Sequence, residues 1–132
     1  MFETTHALAG AALGSLAGGP VSAFAVGLAS HAVLDAIPHW DYRTVPAAVV
    51  DVLVGAVAVG AAAAQAADPA PVIAGAVGAV LPDVEVALKA LGRWPWRLFY
   101  PSHTGRLPHP AAPLPWGVLT QLAVAAAALL AL

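Results

Sequence analysis

The sequence predicts an all-α, polytopic membrane helix bundle in one domain, two helical hairpins followed by a C-terminal transmembrane helix. Three observations predict it. Hydrophobic residues form 61% of the 132-residue chain and charged residues only 9%, where soluble domains carry about 25% charge. Mean hydropathy is +0.83, and the apolar residues gather in five runs set apart by Pro, Gly and Asp. The runs are rich in Ala and Leu and keep no period of two, so strands are not expected.

The first run, 5–17, ends at Gly18-Gly19-Pro20. Glu3 is the only early charge and no basic region precedes it, so this run reads as part of the mature protein rather than as a cleaved signal. The second run, 20–37, stops at Pro38, and the third, 46–67, is closed by Asp68-Pro69. The fourth, 71–91, contains Pro82, and the fifth is 114–132. A spanning helix needs about 20 apolar residues. The third and fifth runs meet that length, the second is slightly short, the first is clearly short, and the fourth is interrupted. Frequent Gly and Ala suit the close helix contacts found in membranes.

Tight links make the first two runs one hairpin and the next two another. Loops 38–46 and 92–113 then lie on the opposite side from those turns. Arg43, Arg93, Arg97 and Arg106 fall in these loops, with Lys89 at their edge, so this side is expected to be cytoplasmic, as is the N-terminus. Trp40, Trp94, Trp96 and Trp116 form half of an aromatic belt there. Membrane lipid is the expected surrounding partner. Net charge is -2 with no basic block, which argues against nucleic acid. Cys is absent, so a metal would have to use His, Asp or Glu.

Such residues sit where lipid should discourage them. His6, His31, Asp35, Asp51 and Asp83 lie in or beside apolar helices, where an unpaired ionisable group costs at least a few kcal/mol. Each falls toward the cytoplasmic end of its run, and His39, Asp41, His103 and His109 occupy the loops at the same face. His31 and Asp35 are four residues apart on one helical face. A faint repeat aligns Gly27–Asp35 on Gly75–Asp83 and His6 on Asp51, which suggests a parallel two-fold arrangement with all four at similar depth. Inward-facing His and carboxylates in a bundle are a way to hold one or two metals. Simpler structural roles compete: Asp51 can complement a helix N-terminus, Asp83 can cap a helix after Pro82, His6 can cap the first helix, and Asp35 can bond the turn at Pro38.

The N-terminal Thr5-His6, Ser30-His31-x3-Asp35, Leu81-Pro82-Asp83 and a late His-containing loop together resemble a bacterial inner-membrane family of metal-dependent hydrolases, first noticed under control of the SOS repressor. The resemblance implies His6, His31, Asp35 and Asp83 as metal ligands and a multi-pass location in the inner membrane. Better-known members place Pro-Asp before Ser-His-x3-Asp. Here that order is reversed and Asp83-Val-Glu85-Val follows the proline, as in a divergent member. The expected function is hydrolysis of a phosphoester or lipid-linked substrate, with one or two divalent ions, zinc first and manganese, iron or magnesium as alternatives. Asp51 is the next ligand choice. His39, Asp41 and His103 are the acid/base candidates, and Arg106 and His109 are expected to bind substrate. A non-enzymatic metal-binding or metal-transporting protein is the alternative reading.

Overall fold

Proline sets most of the helix starts. The structure, a computed structural model describing residues 1–132, is all-helical: α1 (Glu3–Ser15), α2 (Pro20–Asp35), α3 (Val45–Gln65), α4 (Pro69–Val80), α5 (Asp83–Ala90) and α6 (Trp116–Ala131). Pro20, Pro46 and Pro69 each stand in a first turn, where a missing N–H costs no hydrogen bond. Side chains cap two of these starts: Thr44 accepts from Ala47 N and Asp68 from Ala70 N.

Pro82 divides the fourth run into two helices bent by 49°. A proline inside a helix removes one hydrogen bond and crowds the preceding turn. The single segment expected over 71–91 is therefore α4 and α5. Only α3 is by itself long and apolar enough to cross a membrane, with 21 residues and a hydropathy of 2.2; the bent α4–α5 pair passes the same test jointly. α1 has 13 residues and α2 and α6 have 16 each. At 1.5 Å per residue, 16 residues rise about 24 Å, less than the roughly 30 Å of a bilayer core.

α1 is the central helix. It packs against α2, α3, α4 and α6 and is buried along most of its length. α3, its counterpart in the suggested repeat, is largely exposed, so the two hairpins are not equivalent in burial. Glycine permits the tightest contacts. A Cβ at Gly75 would strike the Gly10 carbonyl of α1, and one at Gly27 on α2 would strike the Gly75 carbonyl. The core beneath is built of small residues with a few larger ones, Ala7, Leu8, Ala11, Val59, Val72 and Ala76 among them. Large apolar side chains face outward instead, including Val50, Leu53 and Val57 on α3 and Leu122 and Leu130 on α6.

Two loops close one end of the bundle. His39 N donates to Pro110 O at 3.2 Å and Ala112 N to His39 O at 2.7 Å, a short parallel bridge between loop 36–44 and loop 91–115. Fully buried Gln121 on α6 fastens both the start of α1 and the first loop, accepting from Phe2 N and donating to Trp40 O. Glu85 accepts from Phe99 N and Tyr100 N at 2.8 and 3.0 Å, which holds the second loop against α5.

Candidate metal centre

The site forms where α1 begins, α2 ends and α4 meets α5. His31 is wholly buried, and its Nδ1 donates to the Ala79 carbonyl of α4 at 2.6 Å. A carbonyl can only accept, so this bond fixes the tautomer and leaves a lone pair on Nε2 of the neutral ring. That atom lies 3.2 Å from Asp35 Oδ2, one helical turn away. It is also 3.3 Å from His103 Nε2 and 3.8 Å from Asp83 Oδ2. His103 is oriented in the same manner: Nδ1 sits 2.9 Å from Glu85 Oε1, and Nε2 sits 3.1 Å from Asp83 Oδ1. Donor atoms of a four-coordinate ion at 2.0–2.2 Å stand about 3.3 Å from one another, so this spacing suits a shared cation.

His6 enters from α1 and stacks on His31, ring centroids 4.0 Å apart and nearly parallel. It is fully buried, and neither ring nitrogen has a hydrogen-bond partner. Asp35 Oδ1, 3.3 Å from His6 Nε2, is unpartnered as well. Buried polar atoms are nearly always satisfied, and two of these three, His6 Nε2 and Asp35 Oδ1, face each other within the cluster. Asp35 Oδ2 accepts from Ser102 Oγ at 2.7 Å. Two donor groups result, His6 with His31 and Asp83, and His31 with Asp35 and His103, each close enough to hold a metal ion.

The surrounding charge is lopsided. Asp35, Asp41, Asp83 and Glu85 have no lysine or arginine partner; their ion-pair partners are imidazoles and the Met1 amino group. Burial disfavours charge on His103, but hydrogen bonds to Asp83 and Glu85 and the charge of nearby Asp35 outweigh it, raising its pKa above the ordinary histidine value. Burial likewise opposes the Asp41 charge, yet hydrogen bonds with His109 and His39 and the adjacent Met1 ammonium hold its carboxyl far below the usual range.

The loop residues divide. His39 and His109 meet, with their Nε2 atoms 3.0 Å apart, and Asp41 Oδ1 is 3.1 Å from the His39 nitrogen. Asp51 is not in the cluster: it accepts from Thr4 N and from the Tyr42 hydroxyl, which ties the start of α1 to α3. Arg106, expected to bind substrate, is exposed and lines neither of the two main cavities; Arg43 does so instead. The larger cavity, of about 620 Å³, has a polar end at Glu3, Asp41, Asp83, His103 and His109, with apolar walls from α3 and α5. A neighbouring cavity of about 350 Å³ shares Glu3, Val52, Asp83 and Ala87.

Sequence reasoning assigned no site role to Glu85, Ser102 or Glu3. Glu85 lies two residues beyond Asp83 and is the one other acid after the proline, a usable signal; Ser102 has no distinguishing signal beyond standing next to His103. No family model, no curated protein and no solved structure matches the chain.

Proposed function

We propose that this chain is a multi-pass membrane protein that hydrolyses a lipid-linked phosphoester with a divalent metal, zinc first, held by His31, Asp35, His103, His6 and Asp83. One observation carries the reading. The Nε2 atoms of His31 and His103 face each other at 3.3 Å with each Nδ1 already engaged, beside three buried, unpartnered atoms of His6 and Asp35. A divalent ion there supplies Lewis-acid polarisation of a phosphoryl oxygen and brings the pKa of a water toward neutrality.

The chain's own residues supply the rest. Glu3 lines the cavity beside Asp83 and has no imidazole partner, so it is the acid placed to give a proton to the leaving oxygen. His103, expected as an acid/base, is better used as a ligand because Glu85 already holds its other nitrogen. Arg43 stands at the cavity lining to meet an anionic headgroup. Val49, Val52 and Leu53 on α3 and Val86 and Ala90 on α5 offer walls for an apolar chain. The outward apolar faces of α3 and α6 support immersion in lipid, and the arginines in the site-bearing loops support a cytoplasmic orientation. Short α1, α2 and α6 would require local thinning of the bilayer. The motif resemblance to the inner-membrane hydrolase family supports the same chemistry.

Transport is disfavoured because the polar residues at the far end are satisfied locally. Ser15, Ser22 and Gln65 bond carbonyls of their own segments, and Asp68 caps α4. The test is a phosphoester panel, lipid-linked and soluble, with the detergent-purified chain, a chelation control and His31→Ala. Metal-dependent turnover lost in the variant supports the reading. Bound metal without turnover on any substrate favours a non-enzymatic metal-binding protein.

A further inference from the structure

We infer that the two loops carry a second divalent-metal position, held by His39, His109 and Asp41 and linked to the first through Asp35. This rests on reading the first cluster as a metal centre. His39 is wholly buried, and its Nδ1 donates to the Ile37 carbonyl at 2.7 Å, so Nε2 of the neutral ring is a lone pair. It lies 3.0 Å from His109 Nε2 and 3.1 Å from Asp41 Oδ1; His109 Nε2 is 3.6 Å from Asp41 Oδ2. The His39–His109 and His39–Asp41 separations match the roughly 3.3 Å expected around one tetrahedral ion, and the second Asp41 oxygen faces His109.

The position is built rather than incidental. The bridge between His39 and the 110–112 backbone fixes both imidazoles' loops with respect to each other. His109 Nδ1 lies 3.5 Å from Asp35 Oδ2, the same oxygen that faces His31 and His103. Asp35 with His39 and His109 forms a donor group of metal-binding size. Asp41 Oδ1 also accepts from the Met1 amino group at 2.9 Å, which holds the carboxylate against the two imidazoles. Asp35 thus stands at the His109 nitrogen that faces away from the second ion and joins the two positions through that imidazole.

The experiment is zinc stoichiometry by elemental analysis of the detergent-purified full chain, for the parent protein, His109→Ala, Asp41→Asn and His31→Ala. His109 and Asp41 are partly exposed, so their replacement leaves the core packing alone, and circular dichroism checks the helices. Two zinc ions per chain falling to one in His109→Ala, with Asp41→Asn binding the second at least tenfold more weakly, supports the inference. One ion in the parent, unchanged in His109→Ala, overturns it and leaves the first centre standing. Two ions in both also overturn it. No zinc in the parent overturns both readings.

Discussion

Glu85 Oε1 lies 2.9 Å from His103 Nδ1 while the same carboxylate accepts from the backbone N–H groups of Phe99 and Tyr100. One buried side chain thus orients an imidazole and fixes the loop that carries it. Glu85→Gln keeps the shape and removes the charge. Zinc affinity is expected to fall about 10–100-fold, the usual cost of losing a partner behind a metal-binding histidine. Competition with a chelator of known affinity measures it, and an unchanged affinity would show that Glu85 is only a loop fastener.

Zinc affinity is expected to weaken as pH falls. A ligating imidazole must release its proton, and Asp83 and Glu85 overcome burial to raise the His103 pKa. Proton competition therefore sets in at a higher pH than for a free histidine, and affinity climbs until pH passes the raised value. In metal-free protein the linkage runs the other way. The stabilisation from protonated His103 is fully present below the unfolded value and is lost as pH rises through the raised folded one. Zinc titrations and metal-free melting curves across pH 5–9 check both; a flat zinc profile would exclude His103 as a ligand.

Asp51→Asn is expected to leave zinc content intact. Its carboxylate serves Thr4 N and the Tyr42 hydroxyl, not the cluster. Weakening these bonds should cost about 1–3 kcal/mol of stability, read as a lower melting temperature in detergent. Loss of metal in a folded Asp51→Asn protein would return this residue to the ligand set.

Arg43→Ala is expected to raise KM for an anionic lipid-linked substrate about tenfold with little change in kcat, the pattern of lost uniform binding. Arg106→Ala should change neither, since Arg106 lines neither main cavity. The reverse pattern would move the headgroup site to the second loop.

Gly75→Ala is expected to destabilise the bundle by about 1–3 kcal/mol or more, because the added methyl meets the α1 backbone, which cannot rotate away. Unfolding in detergent measures it. A neutral outcome would mean that α1 and α4 sit further apart than described.

Helix class and most boundaries were legible because Pro20, Pro38, Pro46 and Asp68-Pro69 punctuate the chain. Pro82 was visible too, but whether it kinks or divides a helix depends on packing, and here α5 turns away by 49°. Counting apolar residues gave α1 and α2 as short, as they are, and overstated only the last run, where α6 has 16 residues. For the site, the i to i+4 spacing found His31 and Asp35, and the repeat aligned Asp83 with Asp35. The same repeat paired Asp51 with His6, and this failed because α3 sits outside α1 and its acid turns to Tyr42. Glu85 and Glu3 were given no site role because an acid in a first helical turn reads as a helix-end charge until burial is known.

The clasp made by Gln121 gives α6 a duty unlike that of a lipid anchor. α6 donates no candidate ligand, yet its one buried amide joins the opening turn of the chain to the strand of backbone leading into Asp41. Exchanging it for an unrelated apolar helix would remove that amide and release the start of α1 from the loop that carries His39 and Asp41. The last helix is in that sense a keystone, set late in the sequence to lock elements that were made first.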